Sequence, residues 1–261
     1  MRPPFSLRLA SRLDVLRRFL LDDGHLVARA LGRRDRLIQP DLERHRVAPR
    51  VVGRRRTARL ATMCNEFQRH KLLTAAIEEF DRRSLPLFKW HDGLIPNLDA
   101  QPSIKIRDSA VIVRLVDGTL SGSTATWAWP GPRGAPVFNF RSEGRDFARS
   151  DRVLILADGF FEYTAPQSPK VKLKDRHLFT MAGEDWFWIA GVVRDGCFAM
   201  LTTAPGPDVA PYHDRQVVTL GLEAGMDWLA LSRPEGELLR PPAPGALTVR
   251  TLRKDGMDLA V

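Results

Sequence analysis

Apolar and polar positions predict a helix near the start of the working chain and strands for most of the remainder. Leu72, Leu73, Ala76, Ile77 and Phe80 recur at helical spacing, which predicts a packed helix over residues 68–81. Residues 97–102 read as a loop. Residues 110–116 read as a strand closed by an Asp117-Gly118 turn, and 124–129 as a strand broken by Pro130-Gly131-Pro132. A further strand is expected over 137–141. Residues 153–163 form a long apolar run with Asp158-Gly159 in its middle, the pattern of a strand bent by a bulge. Strands at 178–181, 186–193, 198–203 and 216–220 complete the set, with a short helix next at 223–231. A Pro-rich stretch from Pro234 to Pro244 leads to a last strand at 247–252. Helices and strands do not alternate, so the expected class is α+β: one domain with a curved, mainly antiparallel sheet and flanking short helices.

Charge divides the chain differently. Residues 1–62 hold 16 Arg, no Lys and 6 acidic residues, a net of +10, whereas the remainder holds 24 basic and 25 acidic residues. The basic pI therefore describes the leader, and any nucleic-acid contact of the body must come from a local patch. Beyond Met63 there are 17 Arg and 7 Lys, so the absence of Lys upstream marks a different composition. Three readings of 1–62 stand: an upstream stretch joined to the gene in error with translation starting at Met63, a disordered basic arm or pro-segment, or a targeting peptide. Six acidic residues argue against the last. With no secretory apolar core and no run of 18 apolar residues, neither secretion by signal peptide nor a membrane span is expected. The domain expectation is thus a leader at 1–62 and one catalytic domain at 63–261.

Two Cys in 261 residues exclude a disulfide framework or a Cys-rich zinc site. Cys197, in an apolar run, is expected to be a buried core thiol. His70, His91, His177 and His213 lack the spacing that zinc sites use, so neither metal nor cofactor is expected.

The candidate chemistry begins at Met63-Cys64. A Cys directly after Met can become a first residue, carrying a thiol and a free α-amine. Such a 1,2-aminothiol condenses with an aldehyde and closes a five-membered thiazolidine ring. Asn139 and Arg141 share one strand face, because side chains alternate. Glu162 lies in Asp-Gly-Phe-Phe-Glu-Tyr, where aromatic neighbours should desolvate it and raise its pKa. His213 comes after Pro211-Tyr212 and just before a strand. Taken singly, each has an ordinary structural reading.

Their combination and order are more specific. Met63-Cys64-Asn65, then Asn139-x-Arg141-x-Glu143, then Ala-Asp-Gly-Phe-Phe-Glu-Tyr at 157–163, then Tyr-His-Asp-Arg at 212–215 resembles the SOS response-associated peptidase (SRAP) family. The segment Trp127-Ala-Trp129-Pro130 is similar to the family's Trp-Gly segment, and Leu-Thr-Thr-Ala at 201–204 to its Thr-rich strand. The resemblance implies an abasic-site processing protein that traps the sugar aldehyde in single-stranded DNA through Cys64. It implies that Asn139 bonds near the linkage, that Glu162 is the general acid and base, and that His213 assists sugar opening and protonates its oxygen. It further implies that Arg141 neutralises a phosphate. Trp127 and Trp129 are candidates for stacking on bases, with a core role equally open. The same likeness implies a monomer in the bacterial cytoplasm, associated with the nucleoid.

The sequence departs from that family at three points. Glu66 stands where the family often has Arg, Asn65 where Gly is familiar, and residues 1–62 would lock the essential amine in a peptide bond. Met63 must therefore be removed, by an aminopeptidase or by the protein itself. Two rivals remain: a thiol peptidase using Cys64, His213 and Asn139, and a non-catalytic single-strand binder.

Overall fold

The computed structural model describes residues 64–260 apart from 71, 72, 83–87, 94, 98 and 133, so the leader at 1–62 lies outside the described residues. In chain order come β1 (Glu66–Arg69), α1 (Leu73–Arg82), β2 (Phe88–Trp90), β3 (Gln101–Lys105), β4 (Ser109–Val116) and β5 (Thr119–Trp127). The short β6 (Trp129–Pro130), β7 (Pro136–Val137) and β8 (Asn139–Arg141) precede β9 (Arg152–Ala157) and β10 (Gly159–Thr164). Next are β11 (Asp175–Met181), β12 (Phe187–Arg194), β13 (Cys197–Thr203), β14 (Gln216–Val217) and β15 (Thr219–Leu220). The chain ends with α2 (Leu222–Ala230), α3 (Glu235–Leu238), β16 (Leu247–Lys254) and β17 (Met257–Asp258).

Two sheets organise these strands. The first runs β17-β16-β11-β10-β1-β3 and is antiparallel throughout. The second runs β14-β13-β12-β9-β4-β5-β2, and a parallel pairing of β13 with β5 closes five of its strands into a ring. β8 joins β13 in parallel, Asn139 opposite Met200, which attaches the Asn139 strand to the ring's edge. The architecture is the α+β class expected: mostly strand, mainly antiparallel, with short helices at the margin.

One face of the ring strands gathers Ile112, Trp127, Ile155, Ile189, Phe198 and Met200 into a cluster that Phe67, Phe160 and Phe179 of the other sheet complete. The opposite face, carrying Leu154, Leu156, Trp188 and Leu201, is covered by Trp228 and Leu229 of α2. β9 is thus apolar on both faces, which is why its sequence is a continuous hydrophobic run and not an alternation. Each fully buried large side chain contributes roughly 1.5–3 kcal/mol of transfer free energy.

The long run at 153–163 is bent where expected, and the bend passes the chain from one sheet to the other. The Asp158 N–H donates to the Gln68 carbonyl (3.1 Å), and Gln68 Nε2 returns a bond to the Asp158 carboxylate (3.0 Å). A Cβ at Gly159 would lie 2.6 Å from Leu178 Cδ1, so any larger residue there must displace the Leu178 side chain. The Asp117-Gly118 turn has φ of 48° and 73°, the positive pair of the tight turn that suits hairpin twist, and β4 and β5 pair through it from end to end.

Three expectations change. The helix begins at Leu73, because Gln68 and Arg69 belong to β1. There Gln68 pairs with Gly159, and the buried Arg69 guanidinium donates to the Asp99 carbonyl (2.8 Å) and to Gln101 Oε1 (3.1 Å). Residues 101 and 102, expected as loop, start β3 on the free side of β1. Cys197 opens β13 next to a hairpin turn and is half-buried, not a core thiol.

Candidate active site

Cys64 sits at the entry to β1, 2% exposed, its Sγ donating weakly to the Glu66 carbonyl at 3.5 Å. Burial pushes its thiol pKa well up, and the nearby Glu162 charge adds to the rise. Glu162 projects from β10, the strand paired with β1, and is 0% exposed. Burial drives its carboxyl pKa well above the usual range, the Cys64 backbone N–H and Lys174 pull it down, and Asp214 pushes it further up. Although that N–H is near enough to act electrostatically, neither Glu162 oxygen completes a hydrogen bond with a described residue. Burial thus favours the neutral form of this carboxyl beside the Cys64 backbone nitrogen.

Asn139 approaches Cys64 from β8. Its Nδ2 donates to the Cys64 carbonyl at 2.9 Å, while its Oδ1 is buried without a hydrogen-bond partner. His213 lies in the loop after β13, its ring nearly buried. Its Nδ1 faces the Arg215 N–H at 3.0 Å, the Arg215 carbonyl at 3.1 Å and Asp214 Oδ1 at 3.1 Å, which fix the ring in the loop. Its Nε2 is buried and meets no hydrogen-bond partner among the described residues. Buried polar groups nearly always find partners, so atoms on Asn139, Glu162 and His213 that meet none among the described residues single these three out.

Sequence reasoning passed over what fixes the His loop. Arg215 forks onto both oxygens of Glu143 (2.6 and 2.8 Å) and also donates to the Thr202 carbonyl (2.7 Å). The Arg215 hydrogen bonds hold the Glu143 carboxyl down at about 2. This clamp ties the segment after β8 to the loop carrying His213. Both partners stood in the motifs, but nothing in their spacing announced that they pair.

Arg141 is exposed at the end of β8 and makes no hydrogen bond or ion pair with a described residue, so its charge is open to solvent. Trp127 must be corrected. It is 0% exposed, donates Nε1–H to the Phe138 carbonyl (2.9 Å) and stacks on Phe198, which leaves no ring face for a base. Trp129 is half-buried against Phe140, its centroid 5.5 Å away.

Glu66 is the second buried carboxylate, 4% exposed. Ser103 Oγ donates to it at 2.6 Å, Arg176 Nη2 at 2.7 Å, and the Tyr163 hydroxyl at short range. Burial pulls its pKa upward, but the Ser103 and Tyr163 hydrogen bonds and the Arg176 charge outweigh it and leave the pKa lowered. Tyr163 is itself pushed up to about 12, by burial and by Glu66. Two open cavities flank Tyr163 and Lys174. One, of about 500 Å³, is lined by Asn65, Glu66, Lys105, Lys172 and Arg253, and the other, of about 330 Å³, by Thr164, Tyr212, His213 and Asp214. Among the described residues no three His, Cys, Asp or Glu side chains gather as metal ligands, and no helix is long and apolar enough to cross a membrane.

The family model described as SOS response associated peptidase (SRAP) matches residues 122–255, half of the chain and the part that carries Asn139, Arg141, Glu162 and His213. The chain belongs to the SRAP family. That family is named for its association with the response to DNA damage. A protein from Bordetella bronchiseptica superposes with a TM-score of 0.52 at 19% identity, covering 73% of this chain and 100% of its own. A phage-related protein from the same organism gives 0.54 at 20%, covering 73% and 95%, and one from Bacteroides thetaiotaomicron gives 0.53 at 17%, covering 74% and 93%. At these identities the likeness shows a shared SRAP fold. No curated protein matches significantly. Cys64 and β1 precede the matched span, so their part in the site rests on the geometry above.

Proposed function

We propose that this SRAP protein crosslinks to abasic sites in single-stranded DNA through Cys64, once the Met63–Cys64 bond is broken. The observation that carries this reading is the position of Glu162: a buried carboxyl, without a side-chain partner among the described residues, beside the backbone nitrogen of Cys64. While that nitrogen is an amide, a protonated Glu162 is poised to hand it a proton as water adds to the Met63 carbonyl and the bond breaks, the upstream chain leaving as a carboxylate. Once it is an amine, the same group handles the protons of condensation.

The steps balance simply. The α-amine adds to the aldehyde carbon of the opened deoxyribose, and the carbinolamine loses water to give an imine. Sγ then bonds to the imine carbon as its proton passes to nitrogen, closing the thiazolidine. Glu162 moves the protons at nitrogen. His213 Nε2–H donates to the sugar oxygen as the ring opens, and Asn139 holds the Cys64 carbonyl so that amine and thiol stay on one side. Arg141 takes a phosphate without reading sequence. A raised thiol pKa suits this order, because the sulfur stays neutral while the amine attacks. The thiol-peptidase reading gains little: a protease nucleophile needs a base on its sulfur, and Sγ here contacts the Glu66 carbonyl.

The test is intact mass after mixing the protein, expressed with its own upstream region, with an abasic single-stranded oligonucleotide. The expected product begins at Cys64 and gains the oligonucleotide mass less one water, and Cys64→Ser forms no stable adduct. A full-length chain that stays unmodified would sink the proposal.

A further inference from the structure

Beyond the reacting atoms, we infer that the cavity lined by Lys105, Lys172, Lys174 and Arg253 is a second phosphate subsite, engaging the backbone of the same single strand next to Cys64. It rests on the reading above for its choice of ligand, but not for its charge or position.

The cavity opens at one end of the first sheet. β3 supplies Lys105, the segment before β11 supplies Lys172 and Lys174, β16 supplies Arg253, and Asn65 next to Cys64 forms part of the wall. Its one acidic lining residue, Glu66, is already engaged by Ser103, Tyr163 and Arg176. Lys105, Lys172 and Lys174 are exposed and form no ion pair with a described residue. Arg253 is steadied by donating Nε–H to the Lys174 carbonyl at 2.9 Å, which leaves the rest of its fork toward the cavity and Asp258 at 4.0 Å. A body that is close to neutral overall has thus gathered four cations around a cavity whose one acidic lining residue is occupied, next to Cys64. At about 500 Å³ and open to solvent, the space admits a backbone phosphate with its sugars.

The arrangement also accounts for Glu66. A carboxylate beside Cys64 would repel a phosphate if it were free. Bound to Arg176 and two hydroxyls it is screened, and the cations that face DNA stand one layer further out. Lys174 lines both this cavity and the one holding His213 and Asp214, so a strand seated on the lysines is led toward the acid–base groups.

The experiment measures equilibrium binding of an undamaged single-stranded oligonucleotide over a salt series, for the wild type and for a K105Q/K172Q/K174Q variant. Each phosphate contact on single strands contributes about 0.7 to the slope of log affinity against log salt, so losing three contacts should flatten it by about 2. A single K172E change, at an exposed position that does not disturb packing, should weaken binding at low salt and flatten the slope by at least about 0.7. Slopes unchanged in both variants overturn the subsite. Failure of the covalent reading looks different: no adduct with the abasic oligonucleotide even for the wild type, while the lysine variants still alter the salt slope.

Discussion

Glu66 and Glu162 are two nearly fully buried carboxyl groups on neighbouring strands, and their surroundings push them to opposite chemistry. Glu66 is met on every side, by Ser103, Tyr163 and Arg176, and its pKa is lowered. Glu162 meets no side-chain partner among the described residues, only the Cys64 backbone N–H nearby, and its pKa is raised. Burial alone raises both, so what separates them is whether neighbours replace the lost water. A satisfied carboxylate stabilises and stays inert. An unsatisfied one keeps a mobile proton, and here it does so beside the nitrogen of Cys64.

Breaking the comparison on the Glu162 side should have the largest effect. Glu162→Gln keeps shape but removes the transferable proton, and crosslinking to an abasic oligonucleotide should slow by about 10²- to 10⁴-fold, the usual worth of positioned acid–base catalysis. Gel-resolved adduct formation under single-turnover conditions measures it, and a rate within threefold of wild type would return Glu162 to a structural role. On the other side, Arg176→Ala strands a buried carboxylate. Removing one partner of such a pair costs about 3 kcal/mol, read as a fall in the urea midpoint, and a loss under 0.5 kcal/mol would mean that Ser103 and Tyr163 suffice.

Stability against pH sharpens the contrast with a smaller signal. Glu66, lowered on folding, contributes stability present above the unfolded carboxylate pKa of about 4.3 and lost as pH falls through its folded value. Glu162, raised on folding, contributes in the opposite sense, its share being complete below about 4.3 and lost as pH rises toward its folded value. Glu66→Gln should therefore flatten the acid limb of the stability profile, whereas Glu162→Gln should make the protein relatively more stable at neutral pH. Identical profiles for the two variants would erase the distinction.

Much of this was legible in the chain, and the reasons differ by residue. The run at 153–163 announced a bent strand because both faces of β9 are buried and Gly159 interrupts it. Asn139, Glu162 and His213 stood out as polar groups in apolar settings, and the structure bonds Asn139 to the Cys64 carbonyl and puts Glu162 on the strand paired with β1. What stayed hidden depends on pairings between distant residues. Glu66 finds Arg176, 110 positions away, and Glu143 finds Arg215, 72 away, so Glu66 looked only like a misplaced charge. Trp127 carried no local signal to separate a base-stacking ring from a core ring, since that depends on Phe67 and Phe198 arriving around it. The late start of α1 has the same cause: helical periodicity gave way to β1 pairing with strands on both sides.

The bend at Asp158-Gly159 has a consequence for how the molecule opens. One continuous stretch is a ring strand before the bend and a central strand of the other sheet after it, so neither sheet can melt without pulling on its neighbour. Amide protons of β9 and β10 should exchange with one common opening free energy, the global one, and not as separate units. Glu162 rides on that shared strand. Glu162 is thereby tied to the part of the protein expected to exchange most slowly, and its surroundings are lost only when the whole fold is.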